Sequence, residues 1–176
     1  MAVNAANILA GAGTFSIGAY VTAGGAGTLV DVGHIKTPYE LGVAMENFDE
    51  TTERATGIVK TVPIQTDFTF KVALHEATAE NQRISLGQPA ANLTGTPPNM
   101  TLRVGDRVEQ YHQATLVVPG LGTGLVSTYT FWRLQVIGMD PISFGKSVAQ
   151  MYSVTFRVLR DDSLSGADKH FKRVDS

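Results

Sequence analysis

From Ile58 to Val72 the even positions read Ile, Lys, Val, Ile, Thr, Phe, Phe, Val, while the odd positions after Val59 are mostly polar: Thr61, Gln65, Asp67, Thr69 and Lys71. This is period-two patterning over about fifteen residues, or roughly 50 Å of extended chain. An ordinary strand has about 5–6 residues. Pro63 falls on the polar side and predicts a sheet edge or a bulge there, because proline cannot donate to a strand ladder. A strand this long carries unpaired edges that a lone small domain must protect. That one feature excludes helical bundles and points to a mainly β chain built for more than its own core.

The remaining chain reads in the same way. Phe15, Ile17 and Ala19 share a face in 12–21, and 28–35 is a second strand. Further strands are expected at 100–110, 111–120, 126–139 and 148–161, with turns at the glycine clusters 23–27 and 121–124 and a loop at 88–99. A single short helix is expected over 75–86. Leu74, Ala77 and Asn81 sit at helical spacing, Ala73, Ala77, Ile84 and Leu86 can supply an apolar stripe, the N-terminal half holds Glu76 and Glu80, Arg83 lies near its end, and Gly87 and Pro89 close it. The fold class is mainly β: a β-sandwich or half-barrel with long strands and one flanking helix. With 176 residues, one domain spanning 1–176 is expected.

Two segments stand apart. Residues 37–54 hold Glu40, Glu46, Asp49, Glu50 and Glu53 before the first basic residue, Arg54. They read as a strand followed by an extended acidic arm or loop. Residues 162–176 read as a C-terminal tail or contact arm. If the acidic arm meets a neighbouring copy, its basic partners are Arg103, Arg107, Lys169, Lys172 and Arg173.

Catalytic signals are weak. The four histidines (His34, His75, His112 and His170) have no metal-ligand spacing, and the second histidine that a zincin needs after His75 is Ala79. The glycine clusters lack the strand–helix context of phosphate or dinucleotide loops. No nucleophile elbow is present. With no cysteine, disulfides and thiolate sites are excluded. The net charge of −2 with scattered basic residues argues against a protein that grips nucleic acid. The first residues lack the charged region of a signal peptide, and no apolar run has the roughly 20 residues of a membrane span. No enzymatic activity, cofactor or metal is expected, and no membrane partner.

Over 57–87 the chain resembles the major tail tube proteins of long-tailed, siphovirus-like bacteriophages. The resemblance lies in the alternating strand with Phe68, Phe70 and Val72, then Leu74, Glu76, Ala77, Glu80 and Asn81, and a helix closed by Leu86-Gly87. The glycine-rich first strand and the segment 28–50 fit the same layout, whereas Arg83 and Ile84 stand where many members carry small or apolar residues. The resemblance implies a β-sandwich with a flanking helix, six copies closing a ring whose inner sheets join into one barrel, and rings stacked into a tube. The implied partners are further copies of the chain, the tape measure protein, the tail terminator and the baseplate or tip proteins. Double-stranded DNA would pass through without specific binding. The implied location is the virion tail, assembled in the host bacterial cytoplasm. On this reading Val62, Ile64, Phe68 and Phe70 face the core and the polar side of 59–71 faces a wet lumen. Two alternatives stay open: another tail, neck or secretion-tube protein, or a β-sandwich that binds a small ligand or glycan.

Overall fold

A computed structural model of the chain describes residues 13–22, 27–51, 58–106, 108–119, 125–143 and 150–176. It is mainly β. Nine strands are present among these residues: β1 (Thr14–Ala19), β2 (Val30–Thr51), β3 (Ile58–Leu74), β4 (Leu93–Thr96), β5 (Asn99–Leu102), β6 (His112–Pro119), β7 (Val126–Met139), β8 (Tyr152–Val158) and β9 (Phe171–Asp175). One α-helix, α1 (Ala79–Ser85), follows β3, and a single 3-10 turn (Ala90–Asn92) precedes β4.

The large sheet runs β6-β1-β2-β3-β8-β7-β9, and β6 also pairs with β7. That last pairing closes six strands into a ring within one chain, which leaves β9 attached to β7 alone. All pairings are antiparallel. β8 and β9 lie end to end along one side of β7. Val158 stands opposite Leu134, and Phe171 stands opposite Phe131.

The interior is filled by the alternating residues of these strands. Phe15, Phe70, Phe131 and Phe156 are fully enclosed, with ring centroids 4.7 Å apart for Phe70–Phe131 and 5.5 Å for Phe15–Phe70. Val72, Leu74, Val154 and Leu134 complete the layer. Burying each large apolar side chain stabilises the fold by about 1.5–3 kcal/mol.

The inner end of β2, where it pairs with β1, is braced from the segment that follows β3. Gly33 takes φ +82°, and a Cβ there would stand 2.1 Å from the Glu76 carboxylate, so this position requires glycine. The Asp31 carboxylate accepts the Gly33 N–H at 2.9 Å, and Glu76 accepts the His34 N–H at 3.3 Å. Glu76 therefore braces β2, and this shortens the helix. The expected start at residue 75 moves to Ala79 because His75 still pairs with His34 as sheet, its N–H bonding that carbonyl at 2.8 Å. Thr78 is the N-cap, accepting the Asn81 N–H at 3.1 Å. Leu74, expected at helical spacing, belongs to β3 instead. Gly87 (φ +62°) follows the C-cap Leu86 as the C′ glycine expected there.

Three other expectations change. The strand expected over 100–110 ends at Leu102, and the loop expected over 88–99 contains β4, which pairs with β5 from Leu93↔Leu102 to Thr96↔Asn99. Gly105 and Asp106 follow and break the pattern. At the C-terminus, 171–175 pairs with β7 from Phe131↔Phe171 to Ser127↔Asp175. The polar run 162–170 hid this strand from a reading of hydropathy. Of the apolar residues expected in the core, Phe70 is buried and Phe68 packs at the barrel's end against Phe171, whereas Val62 and Ile64 are exposed.

Candidate functional site

β2 and β3 pair from Ile35↔Leu74 out to Thr51↔Ile58, but their neighbours stop early. β1 reaches only His34 of β2, and β8 reaches only Phe68 of β3. From there outward the two strands form a two-stranded ribbon with no other described strand on either edge. Its far part, 44–51 with 58–67, projects roughly 25 Å at about 3.4 Å per residue.

The ribbon's apolar residues are in solvent. Met45 is 67 % exposed, Phe48 57 % and Ile64 61 %, with Leu41, Val43, Ile58 and Val62 also exposed. The register places Leu41, Val43 and Met45 opposite Phe70, Phe68 and Thr66, on the face that continues the barrel interior. Between Glu46 and Asn47 the register slips, and Ile64 is the extra residue. Pro63 pairs at the slip, so the proline sits at a bulge on an unpaired edge, as its sequence position predicts. Past the bulge the apolar pair is Phe48↔Val62, and it occupies the opposite face. The ribbon therefore presents an apolar strip on one face near the barrel and on the other face near its tip.

Charge follows the same register. Glu40, Glu46 and Glu50 share a face and lie opposite Lys71, Gln65 and Lys60; Asp49 lies on the other face, where its carboxylate accepts the Thr61 hydroxyl at 2.8 Å. Glu53 and Arg107 fall outside the described residues. Arg103 follows β5, and its N–H bonds the Asn92 carbonyl at 2.8 Å. Two of the expected basic partners are engaged within the chain. Lys169 pairs with Asp162 at 3.7 Å. Arg173 pairs with Asp175 at 2.8 Å and reaches the Ser127 hydroxyl and the Tyr129 ring. The hydrogen bond to Asp175 holds the Arg173 guanidinium pKa above its usual value, and bonds from Ser127 and Arg173 hold the Asp175 carboxyl below its own. Lys172 and Arg103 make no ion pair among the described residues. No ion pair joins the acidic set to the basic set within one chain, among the described residues.

At the foot of the ribbon, Tyr39, Leu41, Phe70, Leu116, Val118, Tyr129 and Phe131 line an apolar cleft of about 190 Å³. Sequence reading missed this cleft because its residues come from four strands that only the topology brings together. It also missed two buried polar clusters. Arg133 lies over the Tyr111 ring at 3.7 Å, and beside it Tyr20 donates to the buried Asp161 at 3.1 Å. His112 lies under α1 with Arg83 and Glu80, and burial together with the Arg83 charge pushes its imidazole down to about 4. Among the described residues no cluster of His, Asp or Glu is placed to hold a metal. In the segment 75–80, Glu76 braces β2 and Glu80 holds Arg83.

No family model matches the chain, and no curated protein matches it in sequence. A solved structure that resembles it is a chain of the anti-feeding prophage (AFP) baseplate, determined by cryo-EM with six-fold symmetrisation. The two are 10 % identical over 89 % of this chain and 93 % of that one, with a TM-score of 0.48.

Proposed function

We propose that the chain is a structural, non-enzymatic subunit of a phage-like tail, and that its copies join through the β2–β3 ribbon into rings that stack as a tube. The observation that carries this reading is the ribbon itself. It exposes Met45, Phe48 and Ile64 together with two unpaired strand edges. A monomer that kept such a surface in water would expose an apolar patch and a template for strand addition. Burial against a second copy removes both. The sequence resemblance to tail tube proteins supports the same reading, and it names the further partners: tape measure protein, tail terminator and baseplate proteins. The shortage of basic residues on the ribbon, where Lys60 faces Glu50, suits a conduit through which DNA slides, because every Lys or Arg on a phosphate adds affinity.

The test is sedimentation velocity with negative-stain electron microscopy over a concentration series. Rings or tubes with a central channel are the expected result. A monomer at every concentration, in the presence of tail-tip proteins as well, overturns the reading.

A further inference from the structure

His112 opens β6, paired with Ala19 of β1 on one side and Leu134 of β7 on the other. It is 4 % exposed. Its ring bonds the Gly18 backbone, while Nε2 has no partner among the described atoms. The bonded nitrogen is therefore Nδ1, which donates to the carbonyl and leaves a bare lone pair on Nε2. α1 lies above this ring. Arg83, itself buried, donates to both Glu80 carboxylate oxygens at 3.0 and 2.6 Å and to the Gln88 carbonyl at 2.6 Å. The charged groups around His112 are thus Glu80 and Arg83 from α1, and Asp31 from β2, which lines the same cleft of about 240 Å³. β1 contributes a carbonyl and β7 contributes Leu134.

We propose that α1 is a proton-sensitive latch on the barrel, released when a proton enters the His112 ring. A proton on Nε2 creates a buried N–H with no acceptor and places a second positive charge beside the Arg83 guanidinium. Buried charge of one sign with no partner is among the most costly arrangements a fold can hold. Relief comes in one of two ways. Glu80 leaves Arg83 for His112, or the helix lifts and water reaches the ring. The backbone of His112 is held on both sides by strands, whereas α1 is seven residues seated by the buried Ile84 and by the Asn81 side-chain amide on the Val32 carbonyl at 2.9 Å. The helix yields first, and the cleft between α1, β1, β2 and β6 opens while the barrel stays closed. The suppressed basicity of His112 agrees with a ring whose proton has no acceptor.

The experiment is hydrogen exchange on the full chain, corrected for intrinsic rates, as pH falls from about 6.5 to about 4. The expected result is that the amides of Gln82 and Leu86, which bond Thr78 and Gln82 within the helix, lose protection by up to about tenfold per pH unit. Amides of β3 and β8 share this slope, because the unfolded chain takes up the same proton, but stay more strongly protected than the helix amides at every pH. His112→Gln, which keeps a neutral polar side chain, is expected to flatten the helix response. Helix amides as strongly protected as the barrel amides at every pH, so that α1 opens only when the whole chain unfolds, overturn the latch whether or not the variant folds. So does a folded His112→Gln variant whose helix still opens with acid.

Discussion

β3 is one strand with two fates. Its inner part, 68–74, lies between β2 and β8 and places Phe70 at 1 % exposure; its outer part, 58–67, has β2 alone and leaves Ile64 at 61 %. The alternating pattern is the same in both. What differs is the neighbour, and neighbours come from topology. Period-two patterning therefore specifies a strand with one apolar face without saying what covers that face. In the barrel the cover is the rest of the chain. On the ribbon it must come from elsewhere, and each prediction below separates the two regimes.

The largest effect belongs to the barrel. Phe70 touches the rings of Phe15, Phe131 and Phe156, so Phe70→Ala opens a cavity that four packed strands cannot fill. A loss of about 3–5 kcal/mol is expected in urea denaturation of the monomer. A loss below about 1 kcal/mol would mean the barrel interior relaxes as freely as the ribbon.

Acid should act next, again on the barrel side. The folded chain holds His112 near 4 against an ordinary value of 6.5, so the unfolded chain binds this proton more readily. The stability due to the neutral ring is complete above about pH 6.5 and is lost as pH falls towards about 4, a loss of about 3 kcal/mol. Urea midpoints measured across that window check it, and a wild-type curve no steeper than that of His112→Gln would remove His112 as the cause. A smaller effect tests the helix that lies against the barrel. Thr78→Ala deletes the N-cap bond to Asn81 and should lower stability by about 1 kcal/mol, read from the same denaturation curves, with the ribbon unchanged.

Much of this division was legible in the sequence. The long strand, the single short helix with Gly87 after it, the bulge at Pro63 and the bounds of β7 follow from local chemistry: alternation, capping and the missing proline N–H. The parts that escaped depend on distant residues. β9 was hidden because 162–170 is polar, yet Trp132 bonds the Asp168 carbonyl at 2.8 Å and Asp161 takes Ser163 and Tyr20, which brings Phe171 back to β7. The helix start shifted because Glu76 accepts the N–H of His34, a residue more than forty positions earlier. Val62 and Ile64 were assigned to the core on alternation alone. Of the candidate site, the acidic character of 37–51 is plain in the sequence, but its pairing with β3 and the change of apolar face at Ile64 are not, because Pro63 marks an edge or a bulge without saying which strand pairs there or which residue is the extra one.

The smallest effect on the monomer is the most informative about the ribbon. Phe48 and Met45 are exposed and lie beyond the last residues of β1 and β8 that pair with the hairpin. Replacing both by Ser removes apolar surface that water already touches, so monomer stability should change by less than about 0.5 kcal/mol per site. Assembly should be lost, because the same side chains would be buried in it. Neutralising Glu46, Asp49 and Glu50 together isolates the electrostatic part. None of the three makes an ion pair among the described residues, although Lys60 lies opposite Glu50, so a neighbour's Lys172 or Arg103 would lose its complement, and stacking should weaken with little effect on folding. Sedimentation of both variants, beside urea curves of the monomer, reads the two quantities separately. Variants that assemble like the wild type would return the ribbon to an ordinary exposed hairpin. Variants that unfold would show that the barrel leans on it. A stable monomer that no longer assembles is the one outcome in which the exposed half of β3 is covered only by another molecule.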